Sequence, residues 1–282
     1  AVGALCMNDS RTRRISTRTA LYIVLIIGAF ISLFPFYWML NTSLKTSQEV
    51  YLYPPTWLPD PVAWGNYAKA FAKVNGRVFF NSAFFTITIV ILQGLVTTMG
   101  GFAFARINFP YRNFFFVLYL STLMIPPQVT LIPTFLVVVK LGWVDSYQGL
   151  IVPILAQGAF GTFLFRQFFL RLPNEMYEAA RLDGASALRV LLQIFAPLSV
   201  NAFVTVFILQ FTWIWNDLLF GLTLSRSENI RPIMTALASL QGQYARTGPP
   251  VALAGALLVS IPTFVLFFAV QRVFVRGLRA TA

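Results

Sequence analysis

The sequence contains no histidine, a single cysteine (Cys6) and only nine acidic residues among its 282. Without histidine and with one cysteine, the chain cannot form an internal disulfide, a Cys/His zinc site or a Cys–His catalytic pair. Charge of both signs is scarce, at 11% of residues against about 25% in soluble domains. What charge there is gives a net +12, which admits two readings, nucleic acid or a membrane. The membrane reading also accounts for the low total, because membrane proteins keep Lys and Arg on their cytoplasmic side; no nucleic-acid partner is expected. No G-x-x-x-x-G-K-[ST] motif is present. The chain therefore binds no nucleotide through a P-loop, and any ATP-derived energy must come from another subunit. No cofactor or metal is expected on this chain.

What the sequence does have is long apolar runs. Cutting it at every charged residue leaves six stretches of the length a spanning helix needs: 19–44, 78–105, 113–139, 146–165, 190–216 and 247–271. Lipid cannot satisfy backbone hydrogen bonds, so each should be helical. The expected fold class is an all-α membrane protein with six transmembrane helices. Arg11, Arg13, Arg14 and Arg18 precede the first run, which predicts a cytoplasmic N-terminus, and an even number of spans returns the C-terminus to the same side. The first run is too long for a cleaved signal peptide, and no small-residue site follows "ISLFPFYWML". "MNDSRTRR" from Met7 reads as a plausible beginning, and "AVGALC" ahead of it is assigned no function.

Three connections are long. Residues 45–77 include "YPPTWLPDP", too proline-rich for a regular helix; with 217–246 they fall on the extracytoplasmic side. Residues 166–197 face the cytoplasm. The links 106–112 and 140–145 are tight turns. Gly94, Thr97, Thr98, Gly100 and Gly101 in the second span suit close helix packing. Pro126 and Pro127 should kink or break the third. The expected organisation is a tail (1–18), a first span with its outer loop (19–77), a core of five helices (78–272) and a second tail (273–282).

An enzyme in the membrane would need clustered carboxylates or histidines. Asp217 alone sits at the edge of an apolar run. Counted from Leu198 at about 1.5 Å per residue it lies near the outer interface, where Trp213 and Trp215 fit an aromatic belt. Asp217 could equally be structural or line an outer vestibule. Asn81, Gln128, Gln210, Asn216 and Asp217 can hydrogen-bond a polar solute, and Trp213 and Trp215 can stack on one.

The cytoplasmic segment about 173–197 is unusually polar at its start: "NEMYEAARLDGASALRVLLQIFAPL" follows Pro173. Proline before it, Glu175 and Glu178 near its positive end and Gly184 after it read as helix, break, helix. Leu188, Leu191, Leu192 and Phe195 then form an apolar stripe. The small side chains of Ala179 and Ala180 suit docking of another protein better than lipid.

These residues carry a resemblance. Glu178-Ala179-Ala180, then Gly184 preceded by Asp183, then Ile194 and Pro197 resemble the EAA loop of binding-protein-dependent ABC importer permeases, with Ala196 where leucine is usual. "NYAKAF", Asn81-Ser82, "AFARINFP", "WNDLLFGLTL", "SLQGQY" and "QRVFVRGL" are similar to the smaller six-span permease of maltose-type carbohydrate importers. The resemblance covers about 20–279. It implies the transmembrane domain of a type I ABC importer in an inner membrane, not itself an enzyme. The implied partners are a second related permease, two copies of an ATPase subunit that hold ATP and Mg, an extracytoplasmic solute-binding protein and lipid. The resemblance implies that Glu178, Ala179, Ala180, Asp183, Gly184, Ile194 and Pro197 belong to the loop that couples to the ATPase. The solute implied is a di- or oligosaccharide, with glycerol-phosphate-like solutes as the alternative. Family members often carry a glycine-rich tail where this chain reads "RATA". A stand-alone carrier or channel needs no EAA spacing and usually shows internal repeats.

Overall fold

A computed structural model describes residues 2–242 and 244–279, with side-chain surroundings for 18–242 and 248–271. Arg11, Arg13, Arg14, the C-terminal arginines Arg272, Arg276 and Arg279, and the "RATA" tail lie outside the described side chains. The described elements are helical throughout. They are α1 (Val2–Ser43), α2 (Gly65–Lys73), α3 (Gly76–Arg106), α4 (Arg112–Ser121), α5 (Pro127–Lys140), α6 (Tyr147–Leu155), α7 (Ala159–Arg171) and α8 (Asn174–Leu182). There follow α9 (Ala187–Val190), a π-helical turn (Leu191–Phe195), α10 (Ala196–Leu198), α11 (Val200–Trp215), α12 (Leu219–Leu224), α13 (Ile233–Gln241) and α14 (Tyr244–Arg279), the last broken at Gly248.

Among the described residues, three helices are long and apolar enough to cross a membrane alone: Arg18–Ser43 of α1, α3, and Gly248–Gln271 of α14. Three more candidate spans are bent pairs. The third bends by 97° between Met124 and Pro127, the fourth by 44° between Leu155 and Ala159, and the fifth by 81° between Leu198 and Val200. The first of these breaks is the expected Pro126–Pro127 effect: proline cannot donate to the ladder and its ring clashes with the preceding turn. The break in the fourth span was not foreseen, since "LAQGA" carries only one glycine and no charge.

Contacts divide the chain into two units, Ala1–Phe71 with Leu240–Leu257, and Ala72–Ser239 with Leu258–Ala282. In the first, the proline-rich segment after α1 is pinned by buried polar side chains. Lys45 donates to Thr56 O and lies 5.1 Å from the Trp38 ring, while Glu49 accepts from Thr56 Oγ1 at 2.7 Å and Asp60 N at 3.2 Å. Asn66 Nδ2 donates to Ser43 O and Lys45 O. The apolar window of α1 is wholly exposed within the chain, as a lipid-facing helix requires.

In the second unit α3 is the central helix, and it packs along α7. A Cβ at Gly101 would come within 2.6 Å of Phe165 Cβ and 2.9 Å of Arg166 N, so only glycine permits this approach. Thr97 and Thr98 are buried on the same helix. Gly94 departs from the expectation: nothing lies within 4 Å of its missing Cβ, and its carbonyl instead accepts from Thr98 Oγ1 at 2.6 Å. Among the described residues, two apolar cores lie at opposite ends of this unit. One joins Phe102, Phe165, Phe169 and Val206 to the segment 180–195; the other joins Phe85, Val138 and Leu150 to Phe220 and Ile230.

Candidate coupling loop and translocation cavity

The segment after α7 folds as helix, break, helix. Pro173 precedes α8 in extended backbone (φ −58°, ψ 140°), and Glu175 sits in the first turn, where the helix dipole favours it. The helix ends in a Schellman motif: Ala185 N donates to Ala180 O at 3.0 Å and Gly184 N to Arg181 O at 3.1 Å. Gly184 adopts φ +79°, the left-handed region where glycine carries no Cβ penalty. Ser186 then caps α9 by accepting from Arg189 N.

One face of α8 turns inward and one outward. Tyr177 packs on Phe102 and Phe195, with ring centroids 6.0 and 6.5 Å away, and Ala180 is buried in the same core. Glu178, Ala179, Asp183 and Gly184 are exposed. The two alanines are thus separated: Ala179 is available to a partner, whereas Ala180 is spent on the chain's own core, contrary to the expectation that both serve docking. The stripe after Gly184 is corrected likewise. Leu191 and Phe195 are buried with Val190, but Leu188 and Leu192 are 55% and 58% exposed; a short helix followed by a π turn does not keep one straight apolar face. Ile194 is half-buried against the core and Pro197 is exposed. Leu182, 88% exposed on the outer face of α8, escaped the sequence reading. Its signal was an apolar residue out of phase with Tyr177 and Ala180.

At the other end, a cavity of about 480 Å³ opens where the third and fourth spans break, beside the end of α11 and the start of α12. It is lined by Gln93, Pro127, Gln128, Gln157, Gln210, Trp213, Asn216, Asp217 and the apolar Ile154, Ile214, Leu218, Leu219 and Phe220. Five of the seven proposed solute-contact residues converge there. The broken fourth span supplies part of the site's geometry: Gln93 Nε2 donates to Ile154 O at 3.3 Å and Leu155 O at 3.4 Å, carbonyls near the end of α6. Asp217 Oδ1 accepts from Phe220 N at 3.1 Å, holding the start of α12. Burial raises the Asp217 carboxyl above its ordinary range, against the opposing donation from Gly221 and Phe220. Gln210 is buried, and its Oε1 has no hydrogen-bond partner among the described residues. No Lys or Arg is among the described lining residues.

The other two proposed contacts are structural. Asn81 is fully buried and donates to Asn229 O at 2.9 Å and Arg231 O at 3.2 Å, fastening the chain after α12 to α3. Trp215 is also buried, donating Nε1 to Val259 O at 3.2 Å and stacking on Phe211 at 5.5 Å. It therefore belongs neither to an interfacial belt nor to the cavity, because residues 213 and 215 lie roughly 200° apart around a helix. Trp213 is 73% exposed. Gln93 and Gln157 were missed; glutamine inside a charge-free run was the signal. Asp145, with φ +60°, accepts from Arg226 N at 2.7 Å and Ser227 N at 2.8 Å, clamping the link 140–146 to the loop after α12.

Residues 97–280 match the family described as "Binding-protein-dependent transport system inner membrane component". The chain belongs to this family. The permease is 35% identical over 268 residues to the sn-glycerol-3-phosphate transport system permease protein of Yersinia enterocolitica, covering 91% of this chain and 94% of that one. It is 34% identical over 270 residues to the corresponding protein of Brucella abortus, covering 92% and 95%. Its fold is that of a bacterial ABC transporter involved in the import of the acidic polysaccharide alginate (TM-score 0.74, 23% identity, 89% and 93% covered). The protein is thus a transport permease component, the membrane subunit of an ABC importer.

Proposed function

We propose that this permease passes a neutral carbohydrate through the cavity at the broken spans, driven by an ATPase that docks on α8 and the residues after it. The observation that carries the solute reading is the cavity lining: carboxamides of Gln93, Gln128, Gln157, Gln210 and Asn216, one carboxylate, an exposed indole, and no lysine or arginine. Amides match hydroxyl groups as donor and acceptor, and Trp213 offers a face for a sugar ring. A phosphate or uronate would meet Asp217 without a counter-ion in a partly desolvated place. Glycerol phosphate is the second reading, favoured by what the similar permeases of Yersinia and Brucella transport.

In this reading the N-terminus and the loop 166–197 are cytoplasmic, and the outer segments 45–77 and 217–246 receive a solute-binding protein. A second permease completes the pathway, and two ATPase copies hold ATP and Mg. Glu178 would pair with a basic residue of the ATPase, Ala179 would allow close approach, and Gly184 sets the angle between the short helices. Closure of the ATPase would bias the permeases between inward-facing and outward-facing states.

The test is uptake by the complete complex in proteoliposomes, with its cognate binding protein, of neutral di- and oligosaccharides against sn-glycerol 3-phosphate. Saturable, ATP-dependent uptake of a neutral sugar is expected. Uptake of the phosphate alone would overturn the solute reading while leaving the importer reading intact.

A further inference from the structure

Arg106 is the last residue of α3, at the end of an apolar span. A basic side chain there ordinarily extends along the helix to place its charge in water. Arg106 does the opposite and is 7% exposed. Its guanidinium donates through Nη1 to Asn174 Oδ1 and through Nη2 to Phe169 O and Leu172 O, and it lies 5.2 Å from the centroid of Phe195. One rigid planar group therefore joins the end of α3, the last turn of α7, the first residue of α8 and the π turn that leads to α11.

These partners are specific. Leu172 O lies just past the end of α7, Phe169 O in its last turn also accepts from Leu172 N at 3.2 Å, and a cation is favoured at a helix C-terminus. Asn174 opens α8, and only Leu172 and Pro173 separate it from α7. The guanidinium spans that linker, so α8 cannot shift relative to α3 and α7 without moving Arg106 or breaking its bonds. The hydrogen bonds of Arg106 go to neutral groups, its Nε has no partner among the described residues, and the Glu175 carboxylate only opposes the larger cost of burying the charge; an apolar side chain of similar volume in such a place is often neutral or stabilising. The apolar core around Phe102, Phe169, Ala180 and Phe195 already holds the loop against the spans. What Arg106 adds is a fixed geometry between them.

We propose that Arg106 is the positioning residue that transmits movement of α8 to the spans, acting as a polar link between the docking loop and the ends of α3 and α7. This rests on the reading of α8 as the ATPase-docking helix. Lysine cannot replace it, because a single ammonium lacks the planar fork that reaches two carbonyls and an amide oxygen together. Asn174 is its partner on the moving side.

The experiment uses the whole complex in proteoliposomes with its solute-loaded binding protein. It compares Arg106→Met, Arg106→Lys, Asn174→Ala and the double variant Arg106→Met/Asn174→Ala with Glu178→Lys and Gly184→Val. The Arg106→Met complex is expected to assemble with the ATPase, with its melting temperature near the parent's. Its ratio of binding-protein-stimulated to basal hydrolysis is expected to fall about tenfold. Arg106→Lys should fail to restore that ratio, and the double variant should be no worse than Arg106→Met alone. A ratio within about twofold of the parent in Arg106→Met, or full recovery in Arg106→Lys, overturns the proposal. So does loss of assembly in Arg106→Met that Arg106→Lys repairs, since Arg106 would then serve stability only. If Glu178→Lys and Gly184→Val leave stimulation intact, the docking reading itself fails, whatever Arg106 does. If they abolish it while Arg106→Met does not, only the link is wrong.

Discussion

Gly184 and Asp217 carry the residue-scale consequences. At Gly184 a Cβ would touch nothing within 4 Å, so substitution costs only the left-handed backbone, about 1–2 kcal/mol. A β-branched residue should therefore reopen the angle between α8 and α9 without clashing. Gly184→Val and Glu178→Lys are each expected to abolish stimulated ATP hydrolysis while leaving membrane insertion intact, read by ATPase assay and membrane fractionation. Asp217 is the pH-sensitive position. Its folded pKa lies above the ordinary 3.8, so the ionised carboxyl is what the fold disfavours. The penalty is absent below 3.8, grows as pH rises through the folded value, and is fully present above it. Asp217→Asn keeps an oxygen acceptor for Phe220 N and removes the charge. Its melting temperature should match or exceed the parent's at neutral pH, with the gain vanishing towards pH 3.8; a variant that melts lower at neutral pH than the parent would contradict this.

Among the elements, the contact of α3 with α7 makes the sharpest claim. Gly101 and Gly94 look alike in "LQGLVTTMGGFAFAR", yet only Gly101 has backbone within 3 Å of its missing Cβ. Gly101→Leu is expected to overpack this contact and lower stability by about 1–3 kcal/mol or more. Gly94→Ala should change the detergent melting temperature little, and equal losses would remove the distinction. Opposing it in character are the breaks within the spans. Pro126–Pro127 was legible as a break because proline's missing donor is a covalent fact. The break at 156–158 was not, because it depends on what replaces the lost hydrogen bonds, whereas Pro197 marks the turn into the fifth span, which bends between Leu198 and Val200. Gln93 supplies donors at the first, and at the second Ser199 donates to Phe195 O.

For the whole molecule, the six candidate spans, the exposed apolar face of α1 and the family membership describe one subunit of a larger machine. Expressed with its neighbouring genes and extracted in detergent, the chain is expected to bring down one related permease and an ATPase in two copies, measured by mass photometry and subunit staining. Recovery as a lone, ATP-indifferent oligomer would favour a carrier.

By itself the sequence determined the class of molecule. Charge-free runs of spanning length, helix punctuation around Gly184 and the EAA spacing are covalent or local properties, and they required neither neighbours nor coordinates to read. Only the tertiary structure decided which polar side chains meet. Asn81 and Trp215 share residue types with the cavity-lining Asn216 and Trp213, but helix phase and the bends turned them into the core. The same phase buried Ala180 beside an exposed Ala179, and folded Arg106 inward onto Phe169 O, Leu172 O and Asn174. Such choices depend on partners far apart in sequence, where local pattern carries no information about which face a helix will present.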